Sequence, residues 1–81
     1  MKLRNLGIYS LPDGREYVAD VLYSDGYSLY PRTSWETTAH AEYRVGKDGR
    51  LIRRGQPTRW SVEQLRDTGQ RAAYPPNTRL I

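Results

Sequence analysis

The chain has 81 residues, enough for one domain, and contains no cysteine, no phenylalanine, seven tyrosines and two tryptophans. Thirteen Lys+Arg against nine Asp+Glu give a net charge of +4. Without cysteine there are no disulfides, thiolate zinc sites or thiol nucleophile, and the single histidine, His40, excludes a His-rich metal site.

Fifteen residues are Leu, Ile or Val, about 19% of the chain and close to the level at which disorder competes with folding. The nine aromatic residues and the modest charge argue instead for a folded domain with a thin core. No apolar run is long enough to cross a bilayer, so no membrane association is expected. Residues 1–7 carry basic side chains but no apolar segment of the secretory type, and a cytoplasmic location is expected.

Along the chain, three punctuations end in Asp-Gly: Pro12-Asp13-Gly14, Ser24-Asp25-Gly26 and Lys47-Asp48-Gly49. Each fits a three-residue hairpin loop, which needs a left-handed residue at its last position. A loop at 12–14 pairs Leu11 with Arg15 and Tyr9 with Tyr17; one at 24–26 pairs Tyr23 with Tyr27 and Val21 with Leu29. One face of the resulting meander then carries Tyr9, Leu11, Tyr17, Ala19, Val21, Tyr23, Tyr27 and Leu29, and the other is mixed. Residues 31–41 read as a long loop with one helical turn started by Thr33 and Glu36. A second hairpin follows at 42–46 and 50–54, with Val45 opposite either Leu51 or Ile52, and 55–58 read as a turn. Ser61 and Gln64 have capping-box spacing, Trp60 and Leu65 fit a hydrophobic staple, and Gly69 suits a helix end, so a short α-helix is predicted at 62–68.

The expected fold is therefore mainly β. Five short antiparallel strands, a three-stranded meander plus a hairpin, form a small SH3-like barrel or curled sheet with one short C-terminal helix. The domain spans 1–71, and 72–81 are expected to be a flexible tail because Pro75-Pro76 excludes helix and central strand.

No catalytic set is present: there is no nucleophile elbow, phosphate-binding loop or dinucleotide fingerprint. His40-Ala41-Glu42 lacks the downstream Cys-x-x-Cys of deaminase zinc sites. The carboxylates of Asp13, Asp25 and Asp48 are accounted for by their turns, so no metal or cofactor is expected. Two binding sets remain. Every aromatic ring carries a polar tip, which suits half-buried positions and interfaces. Tyr9, Tyr17, Val21 and Leu29 are the expected core members. Tyr30, Trp35 and Tyr43 are the expected surface members, with Trp35 alternatively a plug closing one end of the barrel. These rings point to a non-enzymatic binding module for a protein or peptide partner, acting as a monomer or weak homodimer. The alternative is nucleic-acid binding through Arg50, Arg53, Arg54 and Arg59, whose guanidinium groups suit phosphates. No motif is specific enough to carry a function across from a known family.

Overall fold

The computed structural model describes residues 3–20, 27–37 and 40–73. They form seven strands: β1 (Gly7–Ser10), β2 (Glu16–Asp20), β3 (Ser28–Pro31), β4 (Tyr43–Val45), β5 (Arg50–Arg53), β6 (Gln56–Ser61) and β7 (Arg66–Arg71). They make one antiparallel sheet in the order β6-β5-β4-β3-β2-β1-β7.

Two Asp-Gly turns share one geometry. In the β1–β2 turn, Leu11 N–H donates to the Arg15 carbonyl and Gly14 N–H to the Leu11 carbonyl, each at 2.9 Å. In the β4–β5 turn, Gly46 N–H donates to the Arg50 carbonyl and Gly49 N–H to the Gly46 carbonyl. In each turn an Asp Oδ1, of Asp13 or Asp48, accepts the N–H two residues on at 3.0 Å. Gly14 (φ 92°) and Gly49 (φ 85°) supply the left-handed residue. The turns fix Tyr9 opposite Tyr17 and Val45 opposite Leu51. The 24–26 loop and the Tyr23–Tyr27 pair lie outside the described residues. Leu29, however, stands opposite Ala19 and not Val21. The slip is of two residues, so each side chain keeps its face.

The two edge strands are consecutive in the chain and joined by a 3₁₀ turn at Val62–Gln64. From Ser61 to Arg66 the chain reaches at most about 18 Å, whereas flat seven-stranded spacing would separate the edges by roughly 29 Å. The sheet must therefore bend back on itself. Among the described residues no ladder joins β6 to β7, so the sheet is curled but not closed into a barrel.

The expected helix at 62–68 is not formed. Its capping box is present, with Gln64 Oε1 accepting Ser61 N–H at 2.8 Å, but the helix stops after one turn. Leu65 leaves in extended conformation (φ −75°, ψ 131°) and is buried in the core. Arg66–Arg71 then pair with β1, which would otherwise present an open edge. Gly69 (φ 80°) serves a bulge in this strand instead of a helix end. Residues 56–61, expected partly as a turn and partly as a connection, form edge strand β6, where Pro57 is tolerated. In the 31–41 segment the described residues form one 3₁₀ turn at Arg32–Ser34, entered from Pro31 without a side-chain cap and not started by Thr33. Ala72 and Ala73, expected in a flexible tail, are held: Ala72 N–H donates to Leu6 O, and Ala73 O accepts from Trp35.

Alternation splits the apolar residues between two faces. The inner face carries the main core, with Tyr9, Leu11, Tyr17, Ala19, Leu29, Tyr43 and Leu51 joined by Val62 and Leu65. The opposite face, expected to be mixed, carries a second cluster of Leu6, Ile8, Val18 and Trp35. Trp35 is the largest side chain of that cluster, and replacing it with alanine should lower stability by about 3 kcal/mol in urea denaturation. A loss under about 1 kcal/mol would contradict a packed second cluster.

Candidate functional site

The three rings expected at the surface do not form one. Tyr43 is 3% exposed in the main core, with its ring edge-on to Tyr17 at 5.4 Å. Trp35 is 5% exposed, and its Nε1–H donates to the Ala73 carbonyl at 2.6 Å. It covers the outer face of β1 and β2 and does not plug an end. Tyr30 is half-buried, edge-on to Trp35 at 5.3 Å. Tyr43 thus belongs to one face of the sheet and Tyr30 and Trp35 to the other. The reason is the thin aliphatic core, which draws in rings that a larger core would leave outside.

The arginines fare differently. Arg50, Arg53, Arg54 and Arg59 are all exposed, on β5, β6 and the turn between them. Arg50 Nη1 reaches the Thr58 carbonyl at 3.4 Å. The Arg59 guanidinium lies 4.6 Å from the centroid of the Trp60 ring, a cation–π contact that orients it. Arg53 and Arg54 line an open groove of about 940 Å³ together with Arg44, Lys47, Tyr27 and Ile52; Arg50 and Arg59 lie outside it. Arg44 and Lys47 lie outside the Arg50–Arg59 run and join it only in the fold. The usable signal was alternation: Tyr43 and Val45 turn inward, so Arg44 turns outward, opposite Ile52.

Charge is segregated across the sheet. Residues 43–61 hold six of the thirteen Lys+Arg and one of the nine Asp+Glu, leaving +5 there and −1 for the rest of the chain. The described ion pairs all involve other arginines: Arg4 with Asp67 at 2.6 Å, Arg15 with Asp13 at 2.7 Å and Glu42 at 3.5 Å, and Arg32 with Glu16 at 2.6 Å. None of the six cations of 43–61 pairs with a described carboxylate. Their one local acid, Asp48, caps its turn through the Arg50 N–H. Glu42 borders the groove, but its Oε2 accepts from the Tyr17 hydroxyl and lies within ion-pair reach of Arg15. Asp13 and Asp67 are held below the usual carboxylate range. For Asp13 the main cause is the Arg15 N–H; for Asp67 it is the Arg4 guanidinium. Burial and the neighbouring Glu42 carboxylate push the Tyr17 phenol above its ordinary value, so that hydroxyl stays a donor.

Both sheet edges are blunted in the same way. Thr58 Oγ1 donates to the Leu51 carbonyl at 2.7 Å and accepts Trp60 N–H at 3.2 Å, where the β5–β6 register shifts. Thr68 Oγ1 donates to the Ile8 carbonyl at 2.7 Å and accepts Gln70 N–H at 3.2 Å, where the β1–β7 register shifts. Irregular edges resist strand addition. Among the described residues no three His, Asp or Glu side chains gather as a metal site, and no helix is long and apolar enough to cross a membrane. Comparison with protein-family models, curated proteins and solved structures finds no match.

Arg54 (φ 53°) and Gly55 (φ 78°) form the two-residue turn between β5 and β6. Positive φ at both positions favours Asn-Gly, and a long side chain at the first costs about 1 kcal/mol. An Arg54→Asn variant should therefore unfold at higher urea, with a gain of about 0.5–1 kcal/mol. A loss of stability would show that the Arg54 side chain itself supports the fold.

Proposed function

We propose that this chain is a nucleic-acid-binding module whose phosphate contacts come from Arg44, Lys47, Arg50, Arg53, Arg54 and Arg59. The observation that carries the reading is the charge segregation: the whole positive excess lies in residues 43–61, and none of those cations pairs with a described carboxylate. Five of the six are arginine, whose planar fork engages phosphate oxygens in pairs and loses little hydration on contact. The strained backbone at Arg54 fits the same reading, since a cation is kept at the tip of the hairpin where asparagine would be more stable. The reading through aromatic surface has less support: of Tyr30, Trp35 and Tyr43, two are almost fully buried, and both strand edges are irregular.

The mechanism is electrostatic association. Cationic side chains displace counterions from the phosphate backbone, so affinity falls linearly with salt on a log–log plot. With three to five phosphates engaged, the slope should be about −2 to −4 in fluorescence-anisotropy titrations with labelled oligonucleotides. Each single Arg→Gln change at Arg50, Arg53 or Arg59 should weaken binding and reduce the slope by roughly 0.7–0.9. Tyr30→Ala should leave both unchanged. Affinity that is insensitive to salt, or that falls with Tyr30→Ala and not with the arginine changes, contradicts the proposal.

A further inference from the structure

The groove beside the basic hairpin also holds the chain's single histidine. Antiparallel pairing sets Arg44 opposite Ile52 and Val45 opposite Leu51, so the entry to β4 lies beside the exit of β5. At that end His40, Ala41 and Glu42 line the groove together with Arg53, Arg54 and Gly55. The segment is anchored at Glu42, whose N–H donates to the Leu29 carbonyl at 2.9 Å. Two residues span at most about 7 Å, so His40 stays close to that anchor. His40 itself is exposed.

The charged groups that share the groove with His40 are mostly cations. Arg53 and Arg54 come from β5 and its turn, Arg44 from β4 and Lys47 from the β4–β5 turn. The Tyr27 residue lines the far end, where its carbonyl accepts Val45 N–H. Among the described lining residues the one carboxylate is Glu42. Its Oε2 is already engaged by the Tyr17 hydroxyl at 3.1 Å and by Arg15 at 3.5 Å.

Resting on the phosphate-binding reading, we infer that His40 is a further phosphate contact of this groove in its protonated form, so that nucleic-acid binding takes up a proton and tightens as pH falls. Imidazole changes charge between about pH 5 and 8. At the acidic end of that range His40 adds a positive charge to those of Arg44, Lys47, Arg53 and Arg54. At the alkaline end the ring is neutral and attracts phosphate less. Backbone phosphodiesters keep their charge throughout, so the change in affinity comes from the protein. With one histidine and no cysteine in the chain, the effect is assigned to a single ring.

The test titrates a labelled oligothymidylate of about 12 nucleotides into the full chain at about 50 mM salt, from about pH 5.5 to 8. The strand carries no terminal phosphate, because phosphomonoesters ionise in the same range. Affinity at the acidic end should exceed that at the alkaline end by roughly three- to tenfold, and the salt slope should steepen by about 0.7–0.9, as for one added contact. His40→Gln should give a flat pH profile at the alkaline affinity of the unaltered protein. His40→Lys should give a flat profile at its acidic affinity. Binding that does not change with pH, or a pH dependence that survives in His40→Gln, overturns the inference and leaves the phosphate reading standing. No binding at any pH removes the phosphate reading as well. Polyglutamate bound more tightly than the oligonucleotide at about pH 7.5 overturns both in favour of an acidic-polymer site. The pH and salt comparison uses the unaltered protein, so the inference stays testable even if a variant does not fold.

Discussion

The link from Ser61 to Leu65 is the constraint on which the rest of the sheet depends. Only four residues, 62–65, separate strands at opposite edges of a seven-stranded sheet, which a flat sheet cannot allow. The link is anchored at both ends. Val62 N–H donates to the Gly49 carbonyl at 2.7 Å, and both Val62 and Leu65 are buried in the main core. A Cβ on Gly49 would meet Val62 Cγ1 at 3.2 Å, so the link also fixes the β4–β5 turn by close approach. The basic hairpin is thereby clasped at its base, and its arginines project from a fixed frame.

The same curl explains a core rich in tyrosine. The inner face of a small curled sheet encloses little volume, and Tyr9, Tyr17 and Tyr43 fill it with rings whose hydroxyls lie near its boundary. The Tyr9 hydroxyl accepts the Arg4 N–H at 2.7 Å, and the Tyr17 hydroxyl donates to Glu42 at 3.1 Å. Buried hydroxyls need such partners. Four of the nine acids, Asp13, Glu16, Glu42 and Asp67, are engaged by Arg4, Arg15 and Arg32. Within residues 43–61 the one acid is Asp48, and Asp13 also lies within electrostatic reach of Arg59.

The parts legible in the sequence were those governed by local rules. Asp-Gly spacing located the described turns at 12–14 and 47–49, and period-two alternation assigned Tyr9, Leu11, Tyr17, Ala19 and Leu29 to one buried face. The capping box at Ser61 and Gln64 was also real. Local rules did not reach β6 and β7. An edge strand such as Arg66–Arg71 is exposed along most of its length, so it has no apolar alternation to read, and its strand character comes from the open edge of β1. That tertiary demand overrode the helical start. Surface exposure was equally illegible for Trp35 and Tyr43, because a ring with a polar tip is compatible with both core and interface. Four of the basic residues were visible as a run in the sequence, whereas the groove that adds Arg44, Lys47 and Tyr27 exists only once β3, β4 and β5 are adjacent.

The central claim is that the positive charge concentrated in strands β4–β6 and their turns serves to bind an anionic polymer. The most direct measurement is an amide chemical-shift titration of the isotopically labelled protein with an oligonucleotide at low salt. The account predicts that the perturbed residues cluster in 43–61, and that they revert as salt is raised. Perturbations centred on Tyr30, Arg32 and the β7 edge, or none at all, would contradict it.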